Sequence, residues 1–339
     1  MSTLQKRSGK KIFEAVPSGR PVIWTAVFIV AAMLPIVAGP SYYVTVLINL
    51  LIRLPFTLSL SYVIGRLGLF TMAHSAFLGI GAYAAAILAQ RYGVNPWLTL
   101  PASIAASSAV AAFIGFAVLR LKGLFLAVST LAFALFIEVL VRQSEITGGA
   151  YGITDIPPLT IAGTPIRGIL FYELALAALA LIVVLFWNIK NSPFGRAGSA
   201  AQDNEHAAAA AGINVARVRI AGFTLSAAVA GLSGWLYAFY HLTVNPFLFS
   251  LDLTFVALFM VLIGGLGSMV GVAIGTALLS LGPELIGFAT TQQVLASGVL
   301  VLIVVLLAPR GIGGLIKEFK SRKAWRKDGD VRSSVTPAA

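Results

Sequence analysis

Glu138 and Arg142 stand four residues apart inside an apolar run, the spacing that brings two side chains to one helix face and favours an ion pair. Arg53 is the other ionisable residue embedded in apolar sequence, and groups of this kind are costly enough inside a membrane to demand a role. Arg53 can snorkel if its helix shifts by a few residues, and Pro55 just after it can bend that helix. His74 lies near a membrane boundary, where it can donate to a backbone carbonyl or meet a solute. It has no carboxylate or second histidine beside it in the sequence to strengthen a site.

What these groups do not form is equally informative. A proton-driven carrier needs a chain of titratable groups across the bilayer, and the sequence supplies none. The three histidines are far apart and show no metal-ligand spacing, and without cysteine there is no thiol nucleophile, disulfide or thiolate zinc site. No GxxxxGK[ST] phosphate loop is present, and the one Gly-Lys pair, Gly9 and Lys10, lacks the glycine spacing. The chain reads as a non-enzymatic one, with no metal and no cofactor of its own.

The elements that must position these residues are membrane helices. Hydrophobic residues make up 58% of the chain and charged ones 11%, with a mean hydropathy of +0.93, far from a soluble globular composition. Runs of roughly 20 apolar residues recur along the sequence, and they are continuously apolar rather than alternating, which selects helices over a β-barrel. Candidate spans lie at about 21–39, 42–63, 70–90, 98–119, 121–141, 169–188 and 218–240, followed by 253–281 and 293–308. The expected fold is an all-α polytopic integral membrane protein with about eight to ten membrane segments, including a broken or re-entrant hairpin.

The net charge of +12 is gathered beside the spans, which argues for membrane topology and against nucleic acid. Lys6, Arg7, Lys10, Lys11 and Arg20 precede the first span, and a second cluster runs from Arg310 to Arg332. The positive-inside rule makes both termini cytoplasmic, with basic tails at 1–20 and 311–339 flanking a transmembrane domain at 21–310. Arg66, Arg120, Lys122, Lys190 and Arg196 then fall on the cytoplasmic side at each alternation, and the loop from Arg142 to Arg167 faces outward. The 253–281 region must begin and end on one side, yet is short for two full crossings, so a bend is expected near Gly264 to Ser268. Gly264, Gly265 and Gly267 are therefore candidate path elements, with close packing through small residues the equal alternative. Gly79 and Gly81 also form a small-residue surface suited to close helix contact.

One polar, alanine-rich stretch interrupts the apolar pattern on the cytoplasmic side: GRAGSAAQDNEHAAAAAGIN, from Gly195 to Asn214. Asp203 or Asn204 can cap a helix there, Glu205 suits its first turn, the alanines propagate it and Gly212 can close it in a left-handed conformation. Two turns are marginal alone in water, so this helix needs something to dock on, either the chain's own loops or a partner.

This stretch resembles the cytoplasmic coupling segment of the permease subunits of branched-chain amino-acid ABC importers, whose usual form is like GRALRAIRENExAAxAxGIN. Gly195, Arg196, Ala197, Asn204, Glu205, Ala207, Ala208, Gly212, Ile213 and Asn214 stand where that pattern expects them. Gln202 stands where the pattern carries arginine, removing one charged contact that the resemblance implies. GRLGLFTMAHSAFLGIGAY, from Gly65 to Tyr83, is similar to the family's GYAGQLSLGHAAFFGIGAY, retaining His74, Gly79 and Gly81 but departing at Arg66, Thr71, Met72 and Ala73. TGGAYGI, from Thr147 to Ile153, resembles the external TGGxxGI loop, and LAPRGIGGL near Pro309 the closing LPRGLxGL. Together they cover about residues 42–316, and their order favours the LivM-type permease over its shorter paralogue.

The resemblance implies a permease subunit of an ATP-driven importer for branched-chain or other hydrophobic amino acids, in a bacterial or archaeal inner membrane. It implies a second, paralogous permease, two ATPase subunits carrying ATP and Mg, an extracytoplasmic solute-binding protein and surrounding membrane lipid. The segment 189–217 would couple to the ATPases, through Gly195, Arg196, Asn204, Glu205, Ala207, Ala208 and Gly212. His74, Gly79, Gly81 and the 264–267 glycines would be candidates for the path, and Thr147, Gly148, Gly149 and Gly152 for the receptor-facing loop. Relatives serving urea, short amides or aromatic acids leave the solute open. A stand-alone carrier or channel, or a membrane scaffold, are the readings of a different class, and neither gives the coupling-like segment a purpose.

Overall fold

The computed structural model describes residues 41–121 and 123–285, with Gly298 and Leu302. The basic tails, the spans expected at 21–39 and 293–308, Lys122 and the closing LAPRGIGGL stretch lie outside the described residues.

Among the described residues ten named α-helices follow one another: α1 (Ser41–Leu67), α2 (His74–Ala86), α3 (Thr99–Val118), α4 (Leu124–Gln143), α5 (Ile169–Asn191), α6 (Pro193–Asp203), α7 (Glu205–Ala210), α8 (Val215–His241), α9 (Leu251–Gly264) and α10 (Met269–Leu285). A small antiparallel pair lies in the loop before α5, with Thr160 opposite Pro165. Among the described residues five helices are long and apolar enough to cross a membrane: α1, α3 with its lead-in turn, α4, α5 and α8. The two arms of the α9–α10 hairpin are apolar but shorter. Pro55 does not interrupt α1, which runs on to Arg66 and Leu67.

At the centre α8 lies against α1, α2 and α3. Helices in lipid gain nothing from burying apolar surface against each other, so backbones must approach closely to gain dispersion, and small residues permit that. Ser103, Ser107, Ala111 and Gly115 recur every fourth residue along the buried face of α3. A Cβ on Gly81 would collide with the Gly231 backbone, and one on Gly234 with the Leu78 carbonyl. Ser107 donates to the Phe77 carbonyl at 2.9 Å, and Trp235 Nε1 to Thr99 Oγ1 at 3.0 Å. On the other side α4 and α5 expose Phe125, Phe136 and Leu181, the composition of surfaces that meet lipid acyl chains.

Two departures from regular helix shape the interior. The span expected from residue 70 becomes helical only at His74, because Gly68 adopts φ +68° and the chain then folds back between helices without regular structure. Leu69, Thr71 and Ala73 are buried there. The backbone N–H of Met72 is taken by Thr130 of α4 at 3.0 Å and that of Ala73 by Thr71 Oγ1 at 3.2 Å, as irregular backbone inside a membrane domain requires. The second departure is the hairpin. Its arms of 14 and 17 residues rise about 21 and 26 Å, short of a bilayer core of about 30 Å. The bend falls at Gly265 and Gly267, both at positive φ, and presses against Gly65 near the end of α1.

Candidate functional site

The connector between α5 and α8 is built by three successive caps. Ser192 Oγ accepts from Gly195 N at 3.2 Å, and Pro193 takes the first position of α6, where a missing N–H costs nothing. Gly195 is buried against the Ile189 carbonyl, while Arg196 is exposed and donates to the Asn191 carbonyl at 2.9 Å. Asn204 breaks α6 with extended backbone, and its Oδ1 accepts from Ala207 N at 3.1 Å to begin α7. Of the two capping residues the sequence offers, Asn204 is the one used. Gly212, at φ +85°, closes the turn, and Asn214 caps α8 through Arg217 N at 3.0 Å.

Six residues long, α7 is held by one buried side chain, Ala208, in a small apolar cluster with Ala201 and Val215. Glu205 adds an ion pair, its Oε2 3.2 Å from Arg219 Nη1. The opposite surface, with His206, Ala207, Ala209 and Ala210, is exposed. Gln202 stands beside Gly68, next to the start of the irregular segment. The connector thus docks on the chain's own α1 and α8, and still presents a small, nearly uncharged knob outward.

A second group lies deeper. His74 is fully buried, with Nε2 2.8 Å from Ser59 Oγ and 3.4 Å from Ser226 Oγ. The Ser59 hydroxyl has one proton and lies 2.7 Å from the Phe56 carbonyl, so Nε2–H is the donor to Ser59 and Nδ1 is left as an acceptor without a partner. The ring ties α1, α2 and α8 together. Gly79 lies under the Phe249 ring, which in turn faces Tyr83 at 5.6 Å. Beside this group Thr57 of α1 and Thr276 of α10 meet at 2.8 Å, and Arg53 Nη1 donates to Ser280 at 3.5 Å.

At the bend, Gly264 abuts the Gly271 and Val272 backbone. Gly267 shares a small cavity with Ser61, Tyr62, Arg66 and Lys190, which sets the bend at the basic end of the bundle. At the other end, Thr147 Oγ1 donates to the Val141 carbonyl at 2.6 Å, and Gly148, Gly149 and Gly152 all take positive φ. Ile153 and Val244 then exchange backbone hydrogen bonds at 2.8 and 2.9 Å, fixing this loop to the segment after α8. Tyr151 at its tip is 92% exposed. The Glu138 and Arg142 pair forms as their spacing predicts, at 2.7 Å. Among the described residues no three His, Cys, Asp or Glu side chains gather as a metal group.

A family model described as branched-chain amino acid transport system / permease component matches residues 42–309. The chain belongs to that family. The permease is 31% identical over 280 residues to the high-affinity branched-chain amino acid transport system permease protein LivM of Salmonella typhimurium, and equally to that of Escherichia coli. Each match covers 75% of this chain and 66% of the relative, just under two thirds of its length. The probable branched-chain amino acid transport permease protein LivH of Methanocaldococcus jannaschii is 29% identical over 292 residues, covering 79% of this chain and 89% of that one. No solved structure matches. The chain is accordingly a non-catalytic, multi-pass membrane permease component of that family.

Ser59, Ser226 and Arg219 complete the site and are not evident from sequence. They stand 15 residues from His74, 152 residues from His74 and on a helix beyond the next turn from Glu205, and only the register of packed helices brings them together.

Proposed function

We propose that this permease is the membrane subunit of an ATP-driven importer for branched-chain or other hydrophobic amino acids, and that α6 and α7 couple it to ATPase subunits. One observation carries this reading: α7 is a separately capped helix outside the spans, anchored by Ala208 and Glu205 to α8 and exposing its other face. A partner that grips that face moves α8 directly, and α8 touches α1, α2 and α3. ATP and Mg are held by the partner subunits. A second permease of the LivH kind completes the membrane unit, consistent with similarity to both LivM and LivH.

The basic end, with Arg66, Lys190 and Arg196, faces the cytoplasm of a bacterial or archaeal cell, and both termini lie on that side. The loop of Thr147, Gly148, Gly149 and Gly152, with Tyr151 at its tip, receives an extracytoplasmic solute-binding protein. Its connection through Ile153 to Val244 leads to α9, which descends to Gly264, Gly265 and Gly267. We place an inner gate at that bend. His74, Gly79 and Gly81 are accounted for by the contacts that enclose them.

Affinity purification of the tagged chain from its host membrane tests the reading. Recovery of a second permease, two ATPase subunits and a binding protein that retains leucine supports it. A chain that purifies alone and transports without ATP overturns it.

A further inference from the structure

At the basic end a cleft of about 280 Å³ opens between the end of α3, the start of α8 and Glu205 of α7. That is the share of liquid held by about nine water molecules. Two guanidinium groups, of Arg120 and Arg219, and the one carboxylate of Glu205 line it, leaving a net positive charge. Arg219 gives Nη1 to Glu205, yet its Nε is buried without a hydrogen-bond partner, a state that a buried donor rarely keeps. Arg120 lies 4.9 Å from the centre of the Phe116 ring, so its charge is held over an aromatic face at the rim. The first turn of α8 is also in the wall, and its dipole favours an anion.

We propose that this cleft binds the phosphate of one anionic phospholipid between Arg120 and Arg219. The membrane side of the cleft explains why the anion is a lipid rather than a soluble one. Phe116 and Ile220 line it, and Phe116 and Phe113 are 64% and 76% exposed on the same helix, giving acyl chains a continuous apolar track. Basic pockets between helices at the cytoplasmic boundary are where such headgroups bind. Because Glu205 shares the cleft, the bound phosphate braces α3 against the root of α7, so lipid composition would set how firmly the connector is held. The site depends on the membrane reading alone and not on the identity of the solute.

The test uses the full chain with its co-purifying subunits, exchanged into nanodiscs of equal phosphatidylcholine and phosphatidylglycerol, with retained lipid read by native mass spectrometry. Wild type is expected to keep phosphatidylglycerol in preference to phosphatidylcholine. Arg120→Gln, which leaves the Glu205–Arg219 pair intact, should lower retention about fivefold. Ala216→Trp, which fills the cleft from its exposed rim and keeps both arginine charges, should lower it likewise. Millimolar inorganic phosphate or glycerol 3-phosphate should leave retention unchanged. Equal retention of both lipids, retention unaltered in both variants, or displacement by inorganic phosphate would each overturn the proposal, the last by marking a soluble-anion site. Leucine uptake is not part of the readout, so failure here is distinct from failure of the importer reading.

Discussion

Glu205 Oε2 lies 3.2 Å from Arg219 Nη1, so the first residue of α7 is tied to the second turn of α8 across the turn that joins them. The pair is partly exposed and contributes about 0–1 kcal/mol. Glu205→Gln should therefore leave folding and uptake within about threefold of wild type. Glu205→Lys should cut ATP-dependent uptake at least tenfold with membrane insertion unchanged, because it sets two cations together and opposes the helix dipole. Uptake assays on vesicles, with immunoblots of the membrane fraction, separate the two.

A different class of effect is expected at the α2–α8 seam, where a Cβ on Gly234 meets the Leu78 carbonyl. Gly234→Val overpacks that contact at a cost of about 1–3 kcal/mol. The melting temperature in detergent should fall, and assembly with it. Unchanged melting would contradict the close approach.

His74→Ala removes a fully buried ring and its hydrogen bond to Ser59, at a cost on the order of 2 kcal/mol or more. Since the ring is enclosed by α1, α2 and α8, the amount of folded protein should fall while KM for solute stays constant. A shifted KM at normal folded yield would instead put the ring on the path.

Much of this architecture is legible in the sequence because it rests on local chemistry. Asn204 and Gly212 mark the ends of α7 by their side chain and backbone preferences, and four-residue spacing announces the Glu138–Arg142 pair. The bend at Gly265 and Gly267 follows from counting apolar residues against bilayer thickness. The start of α2 does not, because Leu69 to Ala73 are as apolar as a helix would be, and hydropathy is blind to the φ of Gly68. Nor does the Arg219 partner of Glu205, which depends on how two helices sit across a turn.

Gly267 has φ +77° and lies against the Gly65 carbonyl. Gly267→Val should strain the bend by about 1–2 kcal/mol, since a β-branched residue tolerates that region poorly. If the bend is the inner gate, uptake falls more than the folded yield does. Equal falls in both would reduce the bend to a structural turn.

In the importer we propose, an unbroken α7 carries force from ATPase subunits into α8. Ala208→Pro tests it most directly, because it deletes the bond from Ala208 N to the Asn204 carbonyl, at 3.0 Å, and breaks the helix at a cost of about 3 kcal/mol. The measurement is ATP-dependent leucine uptake by vesicles holding the full complex, alongside the amount of chain inserted. Uptake should be abolished with insertion retained, whereas uptake at the wild-type rate would mean that α7 transmits no force.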